Sequence, residues 1–303
     1  MKPARRPFRA FAGAILLFVC ITGKAASLPP LSDPPSGEYR HGKFVWIDLV
    51  TTDVPLAQKF YGGLFGWSFE EIEGGNTRYV LAWNAGVPVA GMAAREPKPG
   101  PSKQHQARQS RWIAYMSVPD VDRAVADVAA RGGKVLIPAR NVEGRGRMAV
   151  VADPDGAPIG FVKSSSGDPP DYRADPGEWM WAIYQSADAA SAAAFYQDLG
   201  GYEVVADDDR LGNAKSFTLQ AEGFARAGLV AIPAEATELR PDWVYFVRVD
   251  DVAASLLKAV ALGGRVIVAP RPDLVDGGMA VIADPSGSPV GLMSWAPDDG
   301  EGD

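Results

Sequence analysis

The residues best suited to chemistry lie on strand-like runs. Phe44-Val45-Trp46-Ile47-Asp48-Leu49-Val50 alternates, so Trp46, Asp48 and Val50 share one face while Val45, Ile47 and Leu49 share the other. A carboxylate on such an aromatic, apolar face must be paired or protonated. Its chemistry is that of a polar anchor for an amine or hydroxyl, with Trp46 stacking on the apolar body of the bound molecule. The run Arg111 to Val118 groups Ile113, Tyr115 and Ser117 in the same way, with Trp112, Ala114 and Met116 opposite. Further along, Trp181, Ile183 and Gln185 form one set, and Val244, Phe246 and Arg248 form another. Apolar and aromatic surface with one or two polar groups is what a small organic ligand requires. Nucleophile chemistry is not indicated, because no Gly-x-Ser-x-Gly motif is present. The two histidines, His41 before the first strand and His105 in a polar connection, read as solvated loop residues. Asp207-Asp208-Asp209 resembles the start of a calcium loop. Its spacing to Leu211-Gly212-Asn213 is wrong for an EF-hand, and the stretch reads as a hairpin turn.

The elements that must position these residues are written twice. Met148 to Gly160 (MAVVADPDGAPIG) and Met279 to Gly291 (MAVIADPSGSPVG) are identical at nine of thirteen positions. Each is a strand, an Asp-Pro-x-Gly turn and a second strand. FYGGLFGW (60–67) is echoed by FYQDLGGY (195–202), and Arg131-Gly132-Gly133-Lys134-Val135 by Leu262-Gly263-Gly264-Arg265-Val266. Repeated signals at a fixed spacing mean a duplicated unit. Within the first half, the strand at 44–50 precedes a helix capped by Asp53 and running to Phe65, with Leu56, Phe60, Tyr61, Leu64 and Phe65 on one stripe. Strands follow at 67–72, 78–83 and 87–93. After a Pro-containing connection, the order recurs: a strand at 111–118, a helix from an Asp120 cap to Arg131, and strands at 134–139, 147–152 and 158–163. The pattern is βαβββ, four times, in two pairs.

Ahead of these pairs lies a leader. Lys2, Arg5, Arg6 and Arg9 precede an apolar run from Ala10 to Gly23, and Gly23-Lys24-Ala25 supplies small residues for cleavage after Ala25. Residues 1–25 therefore read as a signal peptide and predict a periplasmic or secreted protein. A retained membrane anchor and a lipid anchor through Cys20 are the alternatives; Val19 is a poor residue ahead of a lipidated cysteine. Cys20 is the only cysteine, so cleavage leaves a chain without thiols or disulfides, and without membrane insertion. The formal net charge is −7, and losing five leader cations makes the remainder more acidic still, which excludes nucleic acid and anionic lipid as partners. Residues 26–42 read as a disordered spacer, 164–178 as a linker and 297–303 as an acidic tail.

Four βαβββ modules, helices opening near Phe-Tyr-x-x-Leu-x-Gly-Trp/Tyr, and an Asp-Pro-x-Gly hairpin closing each pair resemble the vicinal oxygen chelate superfamily of glyoxalases, bleomycin-resistance proteins and extradiol dioxygenases. The resemblance covers 43–163 and 179–296 and implies an α+β fold in which modules pair into two cupped half-barrel domains. In that family, metal-dependent members place His, Gln or Glu inside the cup. Carried over, the ligand positions fall on Trp46, Ile113 and Gly160 in the first half, and on Trp181, Val244 and Gly291 in the second. None of these side chains offers a donor to a divalent ion.

The cup is what remains. If position 46 faces inward, Trp46, Asp48, Tyr115, Trp181, Gln185, Phe246 and Arg248 line the two cups as ligand-binding residues. The expectation is an exported protein with no metal, cofactor or catalytic residue, binding a small, partly aromatic organic molecule. One alternative is an enzyme, a lyase, isomerase or dioxygenase. Another is a degenerate module, its cups filled by Trp46 and Trp181, serving as an envelope interaction surface.

Overall fold

A computed structural model describes residues 28–72, 78–97, 110–207, 216–232 and 240–294. The leader with Cys20, His105, Asp208 and Asp209, and the acidic tail lie outside the described residues. Among the described residues, sixteen strands and four helices follow the expected order. The first module is β1 (Phe44–Thr51), α1 (Val54–Phe65), β2 (Ser68–Ile72), β3 (Tyr79–Asn84) and β4 (Val87–Ala94). The second is β5 (Arg111–Ser117), α2 (Val121–Ala130), β6 (Lys134–Val142), β7 (Gly146–Ala152) and β8 (Pro158–Ser164). The third is β9 (Trp179–Ser186), α3 (Ala189–Gly200), β10 (Glu203–Asp207), β11 (Ser216–Ala221) and β12 (Phe224–Ala231). The fourth is β13 (Asp242–Arg248), α4 (Val252–Ala261), β14 (Arg265–Val268), β15 (Met279–Ala283) and β16 (Pro289–Met293), with a short 3-10 turn at Val275–Gly277.

Each helix starts in the same way. Asp53, Asp120, Asp188 and Asp251 accept from the backbone N–H three residues on, at 2.9, 3.1, 3.2 and 2.9 Å. The cap satisfies a donor that the first turn leaves orphaned. The helices that open each domain end at Gly66 and Gly201, both left-handed, a conformation that costs glycine nothing.

Each domain is one eight-stranded sheet, in the orders β2-β3-β4-β1-β5-β8-β7-β6 and β10-β11-β12-β9-β13-β16-β15-β14. The opening strands of paired modules meet antiparallel at the centre, β1 on β5 and β9 on β13, and each lies parallel to the closing strand of its own module. This is the paired half-barrel arrangement the resemblance implies. One side of both sheets packs with the helices into a single core shared by the two domains. It includes Leu49, Tyr61, Trp112, Met116, Tyr184, Tyr196 and Trp243. The opposite faces form two separate clusters. Trp46, Ile113, Tyr115 and Val150 lie in one; Ile183, Val244, Phe246 and Val281 lie in the other. Strand alternation placed Trp46, Ile113, Tyr115, Ile183, Val244 and Phe246 on these faces as expected, while Met180 packs on the second cluster beside the β9–β13 register slip. Val45 joins the cup cluster because the β1–β5 register slips between Phe44 and Trp46.

The connecting segments are also packed. Residues 28–42, whose composition suggested disorder, run against the first domain. Leu28 N–H donates to Glu143 O, Gly37 N–H to Ser166 O and Gly42 N–H to Ser117 O. A Pro-rich stretch forms no regular element, yet its backbone groups still find partners. The linker is braced by Asp168, whose Oδ2 accepts from Arg40 N–H at 2.7 Å and Ser117 Oγ at 2.6 Å. His41 is half-buried rather than solvated, its Nε2 lying 3.3 Å from Leu199 O of the second domain.

Candidate functional site: a filled cup and an interdomain cleft

In the first cup, Asp48 is fully inside, 6% exposed. Its Oδ1 accepts from Trp46 Nε1 at 2.8 Å and from Tyr79 Oη at 2.7 Å. Room for this comes from Gly91, directly opposite Asp48 on β4, where a Cβ would stand 1.9 Å from Tyr79 Oη and 2.2 Å from Asp48 Oδ1. Burial raises the Asp48 pKa above the ordinary carboxylate value, opposed by the hydrogen bonds of Tyr79 and Trp46, the charge of Arg145 and the hydrogen bond of Tyr115. Burial first, and the Asp48 charge after it, push the phenols of Tyr79 and Tyr115 well upward, so both remain neutral donors. Arg145, from the β6–β7 turn, closes the cup. Its guanidinium carbon lies 3.7 Å from the centroid of the Trp46 ring. Beside Tyr115, Ile137 and Arg140 lies a pocket of about 20 Å³, the scale of a water molecule. Of the two readings of Trp46, the filling one describes this cup.

The corner where the family carries its glutamate is occupied in both domains. A Cβ on Gly160 would lie 2.2 Å from the Tyr115 ring, and one on Gly291 would lie 2.1 Å from the Phe246 ring. The aromatic side chains stand where a carboxylate would reach inward. With Trp46 and Ile113, or Trp181 and Val244, as the remaining positions, the residues present do not fit the family's divalent ion. Among the described residues no group of three or more His, Cys, Asp or Glu is arranged to hold a metal.

The other expected site residues separate. Trp181 lines a cleft of about 1420 Å³ bounded by both domains, the spacer and the linker. Trp46, Trp83 and Trp179 also face this cleft, and Phe224 and Arg226 close its second-domain side. Phe246 is buried against Gly291, outside the cleft lining. Arg248 does not enter a cup: its Nη1 donates to Ala174 O at 2.7 Å and its own carbonyl accepts from Gly177 N–H, so it ties the linker to β13. Gln185 is half-buried and pairs in register with Val230 and Asp242, at the strand end away from the cleft lining.

Sequence reasoning missed Tyr79, Arg145 and the polar edge of the cleft. There, Arg226 grips Asp171 with Nη1 at 2.5 Å and Nη2 at 3.1 Å, and Lys43 Nζ joins at 2.9 Å. Despite burial, which acts to raise it, the Arg226 and Lys43 hydrogen bonds hold the Asp171 carboxyl below its usual pKa. The signal for Arg145 was its setting, Gly144-Arg145-Gly146, in a hairpin tip that alternation does not describe.

Paired βαβββ modules in eight-stranded cups, two to a chain, define the class of fold. The chain belongs to the Glyoxalase/Bleomycin resistance protein/Dioxygenase superfamily, whose model matches residues 43–161, and a glyoxalase-like domain model matches 181–293. A Mycobacterium tuberculosis protein named "Putative glyoxylase CFP32" is 31% identical over 266 residues, covering 87% of this chain and 99% of that protein. The anthracycline biosynthesis protein DauV of a Streptomyces species is 30% identical over 254 residues, covering 82% and 91%. Among solved structures, the Mn(II)-bound glyoxalase of Novosphingobium aromaticivorans superposes with a TM-score of 0.55 at 16% identity, over 84% of this chain and 83% of that one. An extradiol ring-cleaving dioxygenase of B. fuscum gives 0.55 at 16% identity, over 91% and 77%. At these identities the structures share the fold.

Proposed function

We propose that this chain is an exported member of the superfamily that binds a planar, partly aromatic organic molecule without a metal ion, for sequestration or carriage. The observation that carries the reading is the substitution of rings for ligands: Tyr115 over Gly160 and Phe246 over Gly291 remove the metal corner from both cups. A broad binding surface lies in the cleft, where Trp46, Trp83, Trp179 and Trp181 supply flat apolar area and Arg226, Lys43 and Asp171 supply a polar edge. The relative named for anthracycline biosynthesis supports a polycyclic aromatic ligand.

The test is a titration of tryptophan fluorescence with an anthraquinone in buffer containing EDTA. Saturable quenching that EDTA leaves unchanged, and that Trp181→Ala weakens at least 10-fold, is expected. Quenching that EDTA abolishes and a divalent metal restores would overturn the reading.

An enzyme remains the competing reading, supported by the relative named as a glyoxylase. Its acid–base groups would have to be Asp48, Tyr79 and Tyr115, which are committed to one another. A turnover assay that Asp48→Asn abolishes while the fold survives would favour it.

A further inference from the structure

The two cups share their frame but not their charges. Trp46 and Trp181 are equivalent, so Asp48 corresponds to Ile183, and Gly91 opposite the first to Gly228 opposite the second. Three residues before the repeated methionines stand Arg145 in the first domain and Asp276 in the second. Asp276 is exposed, whereas Arg145 is 1% exposed. The second cup is closed by apolar groups, Ile183 and Leu274 among them. The fold therefore needs neither an acid nor an arginine at these places.

Arg145 is also unsatisfied. Nε, Nη1 and Nη2 are all buried with no hydrogen-bond partner, and no ion pair reaches the group among the described residues. Asp48 influences it only through space, its Oδ1 already accepting from Trp46 and Tyr79. A guanidinium stays protonated, and a buried one without acceptors requires an explanation such as a bound ion. Its orientation suggests which. Stacked on the Trp46 ring at 3.7 Å, the planar group is left with its N–H donors along the edge. An edge of parallel N–H donors is the fork that takes both oxygens of a carboxylate.

We infer that the first cup is a carboxylate site in which Arg145, stacked on Trp46, receives a small organic acid edge-on. The cover over it is the spacer. Gly144 has φ +79°, and a Cβ there would overlap the Leu28 carbonyl, so the hairpin and the spacer cross in contact. Leu31 packs on the cup cluster, while Leu28 N–H to Glu143 O at 3.2 Å is the backbone bond at the crossing. With this cover in place Arg145 is 1% exposed, so an acid has no open path to it. Residues 28–33 must lift for entry, and the bound acid then supplies the acceptors that the guanidinium lacks. This site shares Trp46 and the spacer with the cleft but turns on Arg145, which lies outside the cleft lining.

Benzoate and its neutral isostere benzamide test it on the full chain. In the wild-type protein, benzoate is expected to raise the melting temperature saturably, and benzamide to leave it unchanged. Arg145→Met should lower the affinity for benzoate at least 10-fold while anthraquinone quenching in the cleft is retained. Arg145→Lys, which keeps the charge but not the fork, should also weaken benzoate. Equal responses to benzoate and benzamide would overturn the inference whatever the variants do. So would an Arg145→Met protein that still responds to benzoate.

Discussion

The Tyr61 hydroxyl of the first domain donates to Asp284 Oδ2 of the second at 3.0 Å, and the duplication repeats the bond in reverse: Tyr196 of the second domain donates to Asp153 Oδ2 of the first at 2.7 Å. Each tyrosine belongs to a repeated Phe-Tyr motif and each aspartate to a repeated Asp-Pro-x-Gly turn. Each tyrosine also accepts from a tryptophan, Trp112 Nε1 at 2.9 Å and Trp243 Nε1 at 3.0 Å. The motifs that betray the duplication thus join the two copies. A buried phenol satisfied on both sides makes the shared core specific as well as apolar.

Tyr61→Phe and Tyr196→Phe each leave a buried carboxylate oxygen and an indole N–H short of a partner. A loss of about 1–3 kcal/mol is expected for either, measured by urea unfolding. The two sites are distinct networks, so the double variant should lose roughly the sum. Losses below about 0.5 kcal/mol for both would mean that these two bonds do not hold the domains together.

Asp284 gives the junction a pH dependence. Burial lifts its pKa to about 6, against backbone N–H groups from Ser288, Ser286 and Gly287 and the Tyr61 hydroxyl that favour the charged form. With the folded value above the unfolded one, the native state binds the extra proton, so stability falls as pH rises from about 4 to 6. Asp284→Asn cannot titrate and should flatten this stretch of the stability profile. An unchanged slope in the variant would assign the dependence to another group, and Asp48, also raised by burial, is the next to substitute.

Restoring the family's carboxylate should fail sterically. Gly160→Glu, and even Gly160→Ala, drive a Cβ into the Tyr115 ring and should cost about 3 kcal/mol, read as a drop in melting temperature. Tyr115→Ala should relieve the strain of Gly160→Glu without creating a metal site, since Trp46 and Ile113 still offer no donor. A Gly160→Glu protein as stable as wild type would show that the ring yields readily.

Much of this architecture was legible in the sequence, for a physical reason. Caps, turns and strand alternation are local, so Asp53, Asp120 and the two hairpins mark their elements directly, and alternation turned Trp46, Asp48, Tyr115 and Phe246 to the correct face. What was not legible is set by contacts between distant residues. Arg145 reaches the cup from a hairpin tip, Arg248 turns to the linker instead of inward, and a Pro-rich spacer packs down because Glu143 and Ser166 offer acceptors. Tyr79 was passed over because nothing in the sequence marks the space that Gly91 leaves for its hydroxyl to reach Asp48.

Asp48→Asn separates support from anchoring. Two donors, Trp46 Nε1 and Tyr79 Oη, rely on its Oδ1, so the substitution should cost about 1–3 kcal/mol while cleft binding of an anthraquinone is unchanged. A 10-fold loss of that binding at constant stability would instead make Asp48 the ligand's anchor.

The leader yields a direct outcome. The mature protein should begin at Ala26, found by N-terminal sequencing of material from the periplasm or medium. A cytosolic protein retaining Met1 would contradict export, and an acylated Cys20 would replace it with a lipid anchor.

Native mass spectrometry of protein purified from its own cells tests metal-independent binding of an organic molecule most directly. The predicted spectrum shows the chain alone or with one organic adduct, and less than about 0.1 equivalent of zinc, iron, nickel or manganese, since the ring-filled corners offer no donor set. One equivalent of any of these metals, retained through desalting, would contradict the account.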